Sequence, residues 1–81
     1  MWYVYIIKSE KLGVLYVGYS GNLRRRMFEH NSGLSAFTKP YLPWKLLAYI
    51  AVLSENDAKK IEAYLKTGAG RTIMRKRIIF Q

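Results

Sequence analysis

Apolar and polar positions alternate between two periods along this chain, and the switches mark out its elements. Trp2 to Ile7 is an aromatic and β-branched run that predicts a buried strand. A polar, turn-like stretch follows, Ser9-Glu10-Lys11-Leu12-Gly13, and Val14 to Tyr19 is a second β-rich run, so the two predict an antiparallel hairpin. Gly18 inside the second run marks a bulge or a place where another backbone or a ligand comes close. Ser20-Gly21-Asn22 can cap a helix from Leu23 to Asn31, with Leu23 and Met27 on its core face and Arg26 and His30 on a neighbouring stripe. Asn31-Ser32-Gly33 stops that helix. The stretch to Pro43 has no period and reads as a loop exposing Phe37 and Tyr41. Trp44 to Leu53 is almost wholly apolar and predicts a central strand covered on both faces. Ser54, with Asp57 three residues on, caps a second helix whose apolar face is Ala58, Ile61 and Leu65, ending at Thr67-Gly68. Gly70 opens a basic segment, Arg71 to Arg77, of weak helical period. The expected fold is α+β: a small three-stranded antiparallel sheet flanked by helices in the order β-β-α-β-α-α, as one domain over residues 1–81.

Composition narrows the chemistry. The 81 residues carry 14 Lys and Arg against 5 Asp and Glu, a net charge of +9, which draws polyanions. Without cysteine there is no thiolate zinc site, and His30 is the only histidine. Glu10, Glu29, Glu55, Asp57 and Glu62 are the whole supply of carboxylates, so a hydrolase here is expected to use at most one metal ion. No apolar run reaches the length of a membrane span, and Met1-Trp2-Tyr3 lacks the basic start of a secretory signal; the expected location is the cytoplasm, with no membrane partner. There is no Walker loop or dinucleotide fingerprint, and a Ser-His-Asp triad would need Asp57, which the helix cap already explains.

Five elements stand in a telling order. Tyr3-Val4-Tyr5 lies in the first strand and Tyr16-Val17-Gly18 in the second, Tyr5 and Tyr16 being 11 residues apart. Arg26 follows Gly18 by eight residues, and His30 comes one turn later. Glu62 sits on the next helix, which closes on Leu65-Lys66-Thr67-Gly68-Ala69-Gly70-Arg71. This pattern resembles the GIY-YIG nuclease superfamily, and in its closing segment the minimal single-domain branch. The resemblance covers almost the whole chain; the one departure is Tyr3, where the family has a glycine that is not a reacting group. It implies an endonuclease that hydrolyses DNA phosphodiester bonds with one Mg²⁺ (or Mn²⁺) on Glu62. Tyr5 or Tyr16 would be the general base, and the sequence does not choose between them. Arg26 would meet the phosphate, and His30 would pass on the tyrosine's proton or orient the tyrosine.

The implied roles are physically reasonable. One carboxylate can hold a hard ion whose other ligands are water and phosphate. An arginine fork suits phosphate oxygens. A phenol can act as a base near neutral pH if surrounding cations lower its pKa. Arg24, Arg25, Lys39, Lys45, Arg71, Arg75 and Arg77 are the candidates for neutralising the nucleic-acid backbone. Phe37, Tyr41 and Tyr19 are candidates for stacking on unpaired bases, which favours single-stranded or branched DNA. Each residue also has a plain structural reading: strand tyrosines as core, the arginine run as a solvated face, Glu62 and Lys66 as a surface pair. The rival functions are a non-catalytic nucleic-acid-binding module of the same fold and an adaptor for an acidic protein surface.

Overall fold

The computed structural model describes residues 1–80. The sheet is built from β1 (Trp2–Ser9), β2 (Leu15–Ser20) and β3 (Trp44–Val52), all antiparallel, in the spatial order β2-β1-β3. The helices are α1 (Leu23–Asn31), α2 (Glu55–Leu65) and α3 (Gly68–Ile73), with a short 3₁₀ turn at Lys39–Tyr41 and a wide π turn at Met74–Ile78. The order β-β-α-β-α-α is therefore the one expected, with α1 at its expected bounds.

The strand order corrects one expectation. β1, not β3, is the central strand: Val4, Tyr5, Ile6 and Ile7 are all buried, whereas β3 is an edge that exposes alternate residues such as Tyr49 and Ala51. Both strands are rich in apolar residues, and apolar content alone does not say which one receives a partner on each side. A register shift after Ile6, which pairs with Ala48 while Ile7 pairs with Leu46, places the extra residue Leu47 in β3 and kinks that edge.

The pleat divides the core in two. On one face Val4, Ile6 and Val17 pack with Ala58, Leu65, Met74 and Ile79 from α2 and the C-terminal turn. On the other, Tyr5, Ile7 and Trp44 pack with Tyr16, Leu23, Met27, Tyr41, Leu42 and Leu46, beneath α1 and the 3₁₀ turn. Side-chain caps define the helices. Asn22 accepts from the Arg25 N–H, Ser54 from that of Asp57, and Thr67 from that of Gly70. Because Thr67 opens a helix, α2 ends at Leu65, earlier than the expected Thr67-Gly68. Gly70 lets α3 fold back tightly, since a Cβ there would overlap the Tyr64 carbonyl and lie 2.8 Å from Leu65 Cα.

The aperiodic stretch before β3 is tied down by polar contacts. The Asn31 amide donates to the Trp44 carbonyl (3.0 Å) and its oxygen accepts the Trp44 N–H (2.7 Å), pinning the end of α1 to the start of β3. Trp44 Nε1–H donates to the Thr38 carbonyl (2.9 Å), and the buried Ser9 hydroxyl donates to the Tyr41 carbonyl (2.6 Å). Among the described residues no buried side-chain polar atom lacks a partner, and no helix is long and apolar enough to cross a membrane.

The central position of β1 sets a prediction. Ile6→Ala removes a side chain packed in the main core and should cost about 2–5 kcal/mol in equilibrium unfolding. Leu53→Ala, at a residue 86% exposed beyond the β3 edge, should stay within about 0.5 kcal/mol of the parent.

Candidate active site

The site begins with a tyrosine that has nowhere to go but over a glycine. Tyr5 lies in the central strand, 1% exposed, with Gly18 as its cross-strand partner on β2. A Cβ built on Gly18 would fall 2.6 Å from Tyr5 Cζ and closer still to its hydroxyl. The glycine expected to mark a bulge or the approach of a backbone or ligand instead makes room for a side chain: its missing Cβ is the space in which the Tyr5 ring lies.

α1 then presents Arg26 and His30 to that hydroxyl. Spaced four apart, they share a helix face. His30 Nε2 lies 2.9 Å from the Tyr5 hydroxyl and Nδ1 lies 2.7 Å from Thr38 Oγ1. Arg26 Nε–H donates to the same Tyr5 hydroxyl at 3.4 Å, while Nη1 donates to Glu29 Oε1 at 2.9 Å. Tyr16, on the same face of β2, packs its ring 5.5 Å from His30, 6.5 Å from Tyr5, 6.1 Å from Trp44 and 5.8 Å from Phe37. The structure thus brings Tyr5, Tyr16, Arg26 and His30 into one contiguous group.

Burial fixes the protonation states here. His30 is fully buried, and desolvation, reinforced by the Arg26 charge, lowers its pKa from 6.5 to about 4. The imidazole is therefore neutral at pH 7 and carries one N–H. Thr38 Oγ1 also lies 3.4 Å from the Ser35 carbonyl and can donate its proton there. That arrangement has Thr38 accepting from Nδ1–H and leaves Nε2 bare to accept from Tyr5. Burial raises the pKa of Tyr5, more than its hydrogen bond and charge contact with Arg26 lower it, and Tyr16 and then Glu62 add smaller contributions to the rise. The expectation that cations pull a catalytic phenol down thus does not hold for Tyr5. Arg26 is opposed by its own partial burial, but the hydrogen bonds to Glu29 and Tyr5 outweigh that and hold it charged.

Glu62 comes from the opposite layer. It stands on α2 with its carboxylate 3.4 Å from Lys66 Nζ, and the same ammonium lies 5.6 Å from the centroid of the Tyr16 ring. Lys66 thus links the carboxylate to the tyrosine group around the β2 edge. Sequence reasoning treated Lys66 only as a surface partner of Glu62; its closeness to Tyr16, 50 positions away in the chain, leaves no local signal. Glu29 and Thr38 were likewise not singled out, although the i,i+3 spacing of Arg26 and Glu29 was visible.

A groove of about 520 Å³ runs along β2, lined by Tyr16, Phe37, Trp44, Lys66, Arg71 and Arg75 among others. Of the seven candidate backbone-binding cations, Arg71 and Arg75 line this groove. Arg24 borders a shallower recess with Tyr3 and Tyr49, and Lys45 borders a third with Lys8. Arg25 is exposed and 3.9 Å from Glu29; Lys39 and Arg77 are exposed and line none of these recesses. Of the candidate stacking aromatics, Phe37 is 74% exposed at the groove wall. Tyr41 is half-buried against Trp44 and Tyr19 leans on Trp2.

The donor set also says what metal it can hold. Among the described residues no three His, Asp or Glu side chains gather as a cage. A half-buried lone carboxylate, Glu62, fits a hard divalent ion that keeps most of its positions for water and phosphate, and does not fit a zinc-type site.

Two measurements test this geometry. Gly18→Ala should destabilise the fold by about 1–3 kcal/mol in denaturant unfolding, because the Tyr5 ring must leave its rotamer or its hydrogen bond. The unfolded imidazole takes up its proton at a higher pH than the folded one. Stability should therefore be full above about pH 6.5 and fall as pH drops toward about 4, where folded His30 titrates. His30→Gln, measured at the same pH values, should flatten that part of the profile.

The chain as a whole is similar to known proteins. Residues 1–76 match the family model of the GIY-YIG catalytic domain. The chain is 42% identical over 67 residues to the UPF0213 protein YsiG of Lactococcus lactis, covering 80% of this chain and 62% of that protein. It is 38% identical over 65 residues to the UPF0213 protein SAG0778 of Streptococcus agalactiae, covering 79% and 73%. The solution NMR structure of the UPF0213 protein BH0048 from Bacillus halodurans superposes with a TM-score of 0.55 at 29% identity, over 91% of this chain and 82% of that one.

Proposed function

Since the chain belongs to the GIY-YIG family, whose catalytic domains are of nuclease type, act on nucleic acid and use a divalent metal, we infer that it is an endonuclease hydrolysing DNA phosphodiester bonds. The observation that carries this reading is the hydrogen-bonded line from Arg26 through the Tyr5 hydroxyl to His30. It ties a phosphate-binding group to a proton path at one oxygen atom.

In this mechanism Tyr5 works as a relay rather than as a standing tyrosinate. Its raised pKa keeps the phenol protonated at rest. With its own proton directed to His30 Nε2 and one lone pair taken by Arg26, the oxygen keeps a lone pair for the proton of an attacking water. As that proton arrives, the phenol proton shifts to His30 Nε2 only for the duration of the step, because the buried imidazole is held neutral. It returns through the phenol to water once the phosphodiester bond has broken, and Thr38 steadies the far side of the ring. The bonds from Arg26 to Glu29 and Tyr5 use Nη1 and Nε and leave Nη2 for a phosphate oxygen, where a fixed cation stabilises charge that grows in the transition state. One Mg²⁺ or Mn²⁺ held by Glu62, when bound, supplies Lewis-acid stabilisation of the phosphate and the leaving oxygen. Tyr16 stands between the relay and Lys66 and orients the substrate at the groove.

The groove supports a substrate with unpaired bases, single-stranded or branched DNA. Phe37 and Tyr16 offer ring faces for stacking, and Lys66, Arg71 and Arg75 flank them as phosphate partners. Arg24, Arg25, Lys39, Lys45 and Arg77 extend the field without lining the groove.

A cleavage panel on labelled single-stranded, duplex and flapped DNA, with Mg²⁺, Mn²⁺ or chelator, tests the reading. Arg26→Ala and Glu62→Ala should each lower the cleavage rate by about 10²-fold or more while oligonucleotide binding persists. Tyr5→Phe should lower it by about 10²–10⁴-fold. A larger loss in Tyr16→Phe than in Tyr5→Phe would transfer the relay to Tyr16. Salt-sensitive binding with no cutting of any substrate would instead identify a non-catalytic module, and absence of binding would favour an adaptor.

A further inference from the structure

Lys66 reaches both halves of the candidate site: helix spacing sets it beside Glu62, and the fold sets it beside Tyr16. Its ammonium lies 3.4 Å from Glu62 and 5.6 Å from the Tyr16 ring centroid, and the side chain lines the groove with Arg71 and Arg75. The side chain is 46% exposed, so its four-carbon stem is free to swing, while its backbone is fixed where α2 hands over to α3.

We propose that Lys66 is an exchangeable counter-ion: it neutralises Glu62 in the metal-free protein and passes to a substrate phosphate in the groove when a divalent cation takes the carboxylate. This rests on the reading of Glu62 as the metal-binding carboxylate. The physical argument is one of charge. An ammonium beside a carboxylate competes with any cation for it, and a divalent ion arriving there repels the ammonium. Arg71 and Arg75 already make the groove positive, so the displaced ammonium is not held there until a phosphate enters. The Tyr16 ring, whose centroid is already 5.6 Å from the ammonium, favours the cation on the groove side as well. Metal and nucleic acid should then strengthen each other's binding, the metal by freeing Lys66 from Glu62 for a phosphate and the nucleic acid by drawing Lys66 off the carboxylate the metal needs, and the coupling is reciprocal. Lys66 is in this sense a positioning residue that sets the order of loading.

The test is a Mn²⁺ titration of the free protein, followed by electron paramagnetic resonance, on the parent, Lys66→Met and Glu62→Gln. Lys66→Met keeps the apolar stem and removes the charge. It should bind Mn²⁺ on the order of tenfold more tightly, the effect of deleting a unit charge 3.4 Å from the carboxylate at a half-exposed site. Lys66→Gln should repeat the gain, and melting curves confirm that each variant is folded. Glu62→Gln should lose the Mn²⁺ site. Unchanged Mn²⁺ affinity in both Lys66 variants, with the site lost in Glu62→Gln, would overturn the exchange and leave the metal assignment standing. Unchanged affinity in Glu62→Gln would overturn the metal assignment, and the exchange with it. A second readout is the salt dependence of single-stranded oligonucleotide binding. With Ca²⁺ present Lys66→Met should reduce the slope of log K against log salt by about one, and in chelator it should leave the slope unchanged. An equal reduction under both conditions would make Lys66 a permanent phosphate contact and overturn the exchange.

Discussion

A phenol hydroxyl buried in the middle of a sheet must be satisfied, and most of this molecule is arranged around satisfying one. Tyr5 sits on the central strand beneath α1 and the loop before β3, and the residue is 1% exposed. An unpartnered hydroxyl there would carry a penalty of about 1–3 kcal/mol. Gly18 makes room for the ring, α1 brings His30 and Arg26 to the oxygen, and the loop before β3 brings Thr38 to the other side of the imidazole. The loop is held in turn by Asn31 and Trp44, which join the end of α1 to the start of β3. The same line of bonds that meets the burial requirement can carry a proton, so structural and chemical roles coincide in the same atoms.

That coincidence explains how so small a chain can hold a polar site at all. A domain of this size has a limited core, and a half-satisfied buried network would be worse than an apolar one. Here the network is complete among the described residues. Completeness comes from keeping His30 neutral. A charged imidazole would need a carboxylate beside it, whereas its neighbours are two hydroxyls and the cationic Arg26. The nearby carboxylate, Glu29, is engaged with Arg26.

The large positive charge is organised rather than spread evenly. Three of the cations near the site are held against rings or acids: Arg26 by Glu29 and Tyr5, Arg25 loosely by Glu29, and Lys66 by Glu62 and Tyr16. Arg71 and Arg75 face the groove, and Arg24 and Lys45 border other recesses. Five acids are therefore enough to give a +9 chain a structured site, because two of them sit where they orient a cation rather than merely neutralise one.

By itself the sequence determined the elements and their order. Periodicity and caps are local properties, and the two tyrosine motifs, Arg26, His30 and Glu62 were legible because they lie at fixed spacings on those elements. The sequence also carried the family likeness. Only the tertiary structure decided that β1 and not β3 is central, since two apolar strands look alike until their neighbours are known. It alone showed that burial drives the pKa of Tyr5 up, against the pull of the surrounding cations, because desolvation depends on what packs over the ring. Thr38 on His30 and Lys66 on Tyr16 belong to the same class. Each joins residues from different elements, and a contact across the fold depends on how the sheet and helices pack, not on spacing along the chain.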